Sequence, residues 1–134
     1  MKDYPPYFSR NELICKCPDN NCIGKTQDFD GVFINYLIAA REMAQIPFII
    51  SSGARCKSWN QAQNGSPRSS HISSEDHAPR AVDIACSGAT AYKIVRACIR
   101  VGMGGIGISQ KKGEPQFIHV DNSIMGPRPL IWSY

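Results

Sequence analysis

The sequence predicts an α+β fold in which a small antiparallel sheet is flanked by helices. Two stretches with helical periodicity, residues 28–44 and 91–101, alternate with short apolar runs of strand length. The order along the chain is helix, strand, long loop, strand, helix and hairpin. Antiparallel pairing is expected because a short polar segment, SQKKGEP, joins the last two apolar runs and has the composition of a hairpin loop.

Each element has its own sequence signal. The first helix follows an N-cap at Asp28 or Asp30 and carries apolar side chains at helical spacing. The second helix has an inward apolar stripe and ends at Gly102, a natural left-handed terminator. Strands are predicted over residues 47–51, 81–85, 104–109 and 116–121. We expect one domain over residues 1–134, with residues 1–25 as an irregular, cysteine-containing arm and an apolar C-terminal tail docked on the sheet.

Composition excludes two classes of partner. The net charge of +4 is scattered, and no basic face with interleaved aromatic residues indicates nucleic-acid binding. The 43% hydrophobic content is typical of a globular protein, and no apolar run is long enough to span a membrane. We therefore expect no nucleic-acid or membrane partner. The modest positive charge favours an anionic polymer such as a cell wall. We expect the protein to be a monomer.

The chain has six cysteines, many for a sequence without an obvious secretory signal. Cys86, after an apolar strand, and Cys98, on a helix face, are expected to be buried small hydrophobes. The other four lie near the N-terminus and in the central loop: Cys15, Cys17, Cys22 and Cys56. A disulfide clasp, a structural zinc site and unpaired thiols are the three interpretations of these four. A catalytic cysteine is not expected, because no obvious base lies near one.

The long central loop, residues 51–83, is the most informative stretch. A loop of this length in a small domain is uncommon unless it is functional or disordered. It holds His71 and His77 and ends at Asp83, while His119 lies in the strand-like run FIHVD. Because alternate strand residues share a face, the sheet can present Asp83 and His119 together with His71. Two imidazoles and one carboxylate suit a zinc ion that keeps one position open for water or substrate.

Several motifs occur in an order that resembles the zinc D-Ala-D-Ala peptidases, the superfamily that includes L-Ala-D-Glu endolysins, VanX-type dipeptidases and the hedgehog signalling domain. The motifs are SGARCxxxN at 52–60 with Gly65, SxH at 69–71 and AVDI at 81–84. The segments GGIGIS, FIHVD and WSY, and the arm with FSRNEL and CKC, are similar to the branch found in phage and bacterial cell-wall hydrolases. The resemblance covers residues 8–134 and implies a hedgehog/DD-peptidase-like fold.

The resemblance also implies roles for individual residues. It makes His71, Asp83 and His119 the zinc ligands. Arg55 matches an arginine that binds the substrate carbonyl or carboxylate, where a guanidinium stabilises a developing oxyanion. Ser69 matches a serine that helps to hold the substrate.

The spacing of the first two ligands departs from the family pattern. The step from His71 to Asp83 is longer than the family's HxxGxAxD motif, and the extra residues lie around ISSEDHAPR. This insertion makes His77 a rival ligand. We favour His71 because it keeps Ser69 two residues before it, and a metal ligand needs such supporting contacts.

The general base is the second departure. The family often has an acidic residue three positions before the last histidine, and here that position is Gln116, which cannot accept a proton from water. Asp121, on the same strand face as His119, and Glu114 are the candidate replacements. Asp121 is preferred, with orientation of a metal ligand as its alternative role. Glu75, Asp76 and His77, all in the insertion, are further alternatives.

These expectations converge on a zinc metallopeptidase that hydrolyses peptide bonds in peptidoglycan stem peptides, as a carboxypeptidase or an endopeptidase. The alternatives are a zinc-binding module without turnover and a zinc-free structural protein such as a phage virion component. We expect action on the cell wall, in the periplasm or outside the cell, with phage delivery as one route. Residues 1–13 lack the apolar core of a secretory signal, so export is expected to be unconventional or to use a signal outside this sequence.

Overall fold

The computed structural model describes residues 1–134, which form a five-stranded sheet and five helices. The helices are α1 (Arg10–Leu13), α2 (Ile23–Thr26), α3 (Gly31–Ala44), α4 (Lys57–Ala62) and α5 (Gly88–Val101). The strands are β1 (Ile49–Ser52), β2 (Ala81–Ala85), β3 (Gly105–Ser109), β4 (Phe117–Asp121) and β5 (Leu130–Ser133). The predicted α+β class is confirmed.

The strand order is β1-β2-β4-β3-β5. The first four strands pair antiparallel, whereas β5 pairs parallel to β3, so the sheet is mixed rather than purely antiparallel. The connection between β4 and β5 explains the parallel pairing. Strand β4 ends at Asp121 beside Gly105, where β3 begins, and residues 122–129 cross that end of β3. Leu130 then starts β5 next to Gly105, so β5 must run in the same direction as β3.

Local signals place the two long helices. The Asp30 carboxylate caps α3 by accepting a hydrogen bond of 2.9 Å from the backbone N–H of Phe33. Gln45 ends α3 in the left-handed conformation, and Gly102 ends α5 with φ of 94°, as predicted. No helix in the structure combines the length and apolar character that crossing a membrane requires.

The main core lies between the sheet and the pair of helices α3 and α5. The strands contribute every second residue to this core, and the helices contribute their inward faces. The strand residues are Val82, Ile84, Ile106, Ile118 and Val120, and the helix residues include Phe33, Leu37 and Ile94. All eight are almost fully buried. Because neighbouring strand residues point to opposite faces, the polar residues between them are directed to the other face of the sheet.

The N-terminal arm, residues 1–25, covers the β1 side of the fold. Tyr4, Phe8 and Leu13 are buried and join the main core. The carbonyl of Leu13 accepts a hydrogen bond of 2.8 Å from the N–H of Ala54, just after β1. The arm is therefore attached to the segment where the long central loop begins.

Candidate metal centre

One row of residues crosses all five strands on the sheet face opposite α3 and α5. The register pairs Ser52 with Asp83, Asp83 with His119, His119 with Gly107 and Gly107 with Trp132. Asp83 and His119 therefore lie side by side, as strand alternation predicts. Their neighbours along each strand are apolar and point into the core, so both polar side chains are directed to the same face.

The central loop brings His71 over this row. The N–H of Arg55 donates to the carbonyl of His71 at 2.8 Å, and the N–H of Ser73 donates to the carbonyl of Arg55 at 2.8 Å. The hydroxyl of Ser69 accepts from the N–H of His71 at 3.2 Å. These bonds fold the start of the loop against its middle and fix the backbone of His71 at the sheet.

The three side chains form a compact triangle of possible ligand atoms. His71 Nε2 is 3.2 Å from Asp83 Oδ1, Asp83 Oδ1 is 3.0 Å from His119 Nδ1, and the two nitrogens are 3.2 Å apart. Tetrahedral zinc with ligand bonds of about 2.0–2.1 Å separates such atoms by about 3.3 Å. All three residues are buried. The arrangement fits one metal ion with an open fourth position.

Hydrogen bonds on the outer ring nitrogens orient both imidazoles. His71 Nδ1 lies 2.7 Å from the carbonyl oxygen of Gly53, and His119 Nε2 lies 2.7 Å from Asp121 Oδ2. Since each of these oxygens accepts an N–H, the proton of each neutral ring is placed on the outer nitrogen. The inner nitrogens, which face Asp83, then offer their lone pairs to a cation.

The pKa values of His71 and Asp83 are both shifted toward the protonation states that bind a metal ion. Burial lowers the pKa of His71, with the charges of His119 and Arg55 acting in the same direction, so this ring is neutral near pH 7. Burial would raise the pKa of Asp83, but the His71 and His119 rings against its carboxylate hold that pKa well below its usual range. A neutral imidazole and an ionised carboxylate are the ligating forms.

His119 differs from His71 in its protonation. Burial lowers its pKa, but hydrogen bonds to Asp121 and Asp83 outweigh burial and raise that pKa above the usual value. In the metal-free protein a proton therefore competes with a cation for this ring. Metal binding at this centre is expected to release a proton from His119.

Asp121 is held on both oxygens. Arg128 Nε lies 2.8 Å from Oδ1 and Arg128 Nη2 lies 2.9 Å from Oδ2, while the N–H of Ser123 donates to Oδ1 at 3.0 Å. Burial would raise the pKa of Asp121, but the hydrogen bonds from His119 and Arg128 hold it well below its usual range. The side chain is an ionised acceptor whose contacts suit the orientation of His119, and a base role for Asp121 stays a prediction.

Arg128 was not among the predicted site residues. It lies in the loop between β4 and β5, with no local pattern to mark it, and only the crossing of that loop over β3 returns it to Asp121. Its guanidinium also lies 5.3 Å from the ring centroid of Trp132, which in turn packs on His119 at 5.3 Å. Arg128 thus contacts both Asp121 and Trp132, the two side chains that lie against the His119 ring.

Arg55, the predicted substrate contact, lies at the edge of the triangle. Its Nη2 is 3.2 Å from Asp83 Oδ2, its Nε donates to the Ser52 hydroxyl at 3.0 Å, and its Nη1 donates to Asn60 Oδ1 at 3.3 Å. The guanidinium therefore braces the carboxylate of Asp83. It also lines the cavity in front of the triangle, together with Ser69.

The remaining candidates lie elsewhere. The ring of His77 lies 3.3 Å from the carbonyl of Ala78 and is not part of the triangle. Glu114 is exposed in the turn between β3 and β4, and neither it nor Gln116 lines the cavity. The exposed residues 75–76 line a different groove. The structure thus brings His71, rather than its rival, to the other two candidate ligands, and a base role for Glu114 stays a prediction.

A cavity of about 540 Å³ opens in front of the triangle. Three arginines line it, Arg55, Arg68 and Arg128, against two carboxylates, Asp83 and Asp121. Three aromatic residues, Phe117, Trp132 and Tyr134, form one wall. Residues 63–66 also contribute to the lining, and of these only Gly65 belongs to a motif recognised in the sequence. The cavity is suited to an extended polar ligand with negative charge.

Comparison with known proteins agrees with this geometry. A family model described as Peptidase M15 matches residues 6–121, a range that holds all three residues of the triangle and leaves out residues 1–5 and 122–134. No curated protein and no solved structure matches the chain significantly. M15 peptidases are metalloenzymes. The chain belongs to the M15 family of peptidases.

Proposed function

We propose that this protein is a zinc-dependent peptidase that hydrolyses peptide bonds in the stem peptides of peptidoglycan. The observation that carries the proposal is the triangle of His71, Asp83 and His119 at the base of a cavity lined by arginines. A zinc ion held by these residues supplies Lewis acidity, which lowers the pKa of water and polarises a peptide carbonyl. Its site of action would be the cell wall, in the periplasm or outside the cell.

The protein's own residues supply orientation. Gly53 and Asp121 accept the outer N–H groups of the two imidazoles and hold both inner lone pairs toward one point. Arg128 fixes Asp121, and Arg55 fixes Asp83. Such preorganisation keeps the ligands in place while substrate enters and leaves the cavity.

The charges of the cavity support a substrate with free carboxylates. Two of the three arginines are paired within the site, Arg55 with Asp83 and Arg128 with Asp121. Arg68 has no carboxylate partner and is exposed at the cavity wall, where its guanidinium donates to the carbonyl of Met125. Stem peptides carry free carboxylates, which an unpaired guanidinium recognises.

A second candidate function is a zinc-binding module without turnover. Its support is that the two acidic residues lining the cavity, Asp83 and Asp121, are both engaged in ion pairs. Neither is free to take a proton from water in the way that a general base does. The two candidates share the metal centre and differ only in catalysis.

An activity assay separates the two candidates. Zinc-loaded protein is incubated with purified peptidoglycan, and newly released amino groups are measured with and without a chelator. The proposal predicts amine release that the chelator stops and added zinc restores. The second candidate predicts no release from protein that carries zinc at this centre.

Two variants sharpen the assay. His71→Ala removes one corner of the triangle and should abolish amine release, whereas His77→Ala, a change of the same kind outside the triangle, should leave it intact. Loss of activity in His77→Ala with retention in His71→Ala would overturn the proposed ligand set.

A further inference from the structure

A second group of possible metal ligands lies away from the cavity. The four-cysteine cluster consists of Cys15, Cys17, Cys22 and Cys56. All four residues are buried, with exposed fractions from 1% to 8%. Their sulfur atoms all lie within 4.8 Å of one another. The cluster joins the N-terminal arm to the start of the central loop.

The spacing of the sulfurs matches a tetrahedral metal site. With zinc–sulfur bonds of about 2.3 Å, the sulfurs of a tetrahedral site are about 3.8 Å apart. The Sγ atoms of Cys15 and Cys56 are 3.7 Å apart. Disulfides would divide the four residues into two separate pairs, whereas here each sulfur is close to all three others. One shared centre accounts for this arrangement.

The surroundings suit a negatively charged metal–thiolate centre. The backbone N–H of Cys56 donates to the sulfur of Cys15 at 3.3 Å, a contact that stabilises a thiolate. The ammonium of Lys25 is buried beside the cluster, where it donates to the carbonyls of Cys17 and Asp19. A buried lysine without a carboxylate partner is costly unless a negative charge is near.

We propose that the four-cysteine cluster is a structural zinc site, separate from the metal centre in the cavity. Each thiol gives up its proton on binding, so four protons leave as one Zn²⁺ enters, and the Lys25 ammonium offsets part of the resulting negative charge. Four protein ligands leave no open coordination position, which is the form of a structural site rather than a catalytic one.

The position of the cluster indicates what the site stabilises. Cys56 directly follows Arg55, which braces Asp83 in the metal centre. Cys15 follows closely on Leu13, whose carbonyl accepts from Ala54 on the same loop. A zinc ion here would tie the arm to the loop and hold Arg55 in register with the centre.

Zinc content tests the proposal. Metal-free protein, prepared with a chelator and a reductant, is reloaded with Zn²⁺ and freed of excess metal before zinc per chain is measured. We expect two zinc ions per chain, since two ligand groups are present. His71→Ala should keep one zinc, and the double variant Cys17→Ser/Cys22→Ser should lose the other. Cys86→Ser, a cysteine change outside the cluster, should keep both.

Cobalt gives a readout that needs no cysteine variant to fold. His71→Ala protein loaded with Co²⁺ should show a thiolate-to-cobalt charge-transfer band in the near ultraviolet, which histidine and carboxylate ligands do not produce. Absence of that band would overturn the proposal, as would unchanged zinc content in Cys17→Ser/Cys22→Ser. A denatured, unreduced sample that titrates fewer than six thiols would show disulfides instead and would also overturn it. None of these results depends on peptidase activity.

Discussion

Arg128 holds both carboxylate oxygens of Asp121, with Nε 2.8 Å from Oδ1 and Nη2 2.9 Å from Oδ2. The same carboxylate accepts from His119 Nε2 at 2.7 Å. A chain of contacts therefore runs from a loop arginine through an aspartate to the imidazole of a candidate metal ligand. We assign Arg128 and Asp121 as positioning residues, because they would act on a bound metal through His119.

Replacing Arg128 tests this chain. In Arg128→Ala the carboxylate of Asp121 loses two charged hydrogen bonds, and His119 loses its fixed orientation. We expect zinc affinity at the centre to fall about 10- to 100-fold, the usual cost of losing such a supporting contact. Competition with a chelator of known affinity measures this change. Arg100→Ala, on the exposed surface of α5, is the matched control and should bind zinc as the wild type does.

Arg68 is expected to contribute to substrate binding rather than to the metal centre. In Arg68→Ala the cavity loses its unpaired positive charge, so the dissociation constant for a stem peptide should rise about tenfold, equivalent to about 1.4 kcal/mol. Titration calorimetry with zinc-loaded protein measures the constant. Zinc affinity should stay unchanged, and a loss of zinc with normal peptide binding would contradict the assignment.

Gly107 leaves space for Trp132 beside His119. A Cβ at this position would lie 2.8 Å from the indole ring. Gly107→Ala should therefore lower the free energy of unfolding by about 1–3 kcal/mol, the usual cost of overpacking. Denaturant titration measures the effect. The matched control is Gly31→Ala at the start of α3, where a Cβ meets nothing within 4 Å, and equal destabilisation by both variants would argue against the packing explanation.

Acid should destabilise the metal-free protein. The pKa values of Asp83 and Asp121 are both lowered by folding, since hydrogen bonds and charges from their partners outweigh burial. The stability that this contributes is fully present above the ordinary carboxyl pKa of about 3.9 and is lost as the pH falls below it toward the lowered values. Chemical unfolding of chelator-treated protein between pH 6 and pH 2 measures the trend. Asp121→Asn should weaken the trend, and an unchanged slope in that variant would contradict the assignment.

The sequence was sufficient to place the two candidate strand ligands on one face of the sheet. Asp83 and His119 each interrupt a β-branched apolar run, AVDIA and FIHVD, so alternation alone directs both to the face opposite the core. His71 lies in a loop, where no periodicity fixes a side chain, and its choice over His77 depended on the family resemblance. The structure shows the physical basis of that choice, because the backbone bonds between His71 and Arg55 bring the ring to the sheet.

Other parts of the centre depend on contacts distant in sequence. The parallel pairing of β5 and the return of Arg128 both follow from how residues 122–129 cross the end of β3, which no local pattern encodes.

The four-cysteine cluster also depends on the fold. The cysteine spacing in the sequence left disulfide, zinc and free thiol interpretations open. Only the fold brings Cys56 to the three cysteines of the arm.

Anomalous X-ray diffraction at the zinc absorption edge, from crystals grown with zinc, tests the ligand set most directly. We predict an anomalous peak between His71 Nε2, Asp83 Oδ1 and His119 Nδ1, at zinc-bonding distance from each of the three atoms. A map without a peak at that position, or with a peak bound to His77 instead, would contradict the metal centre and the peptidase that depends on it.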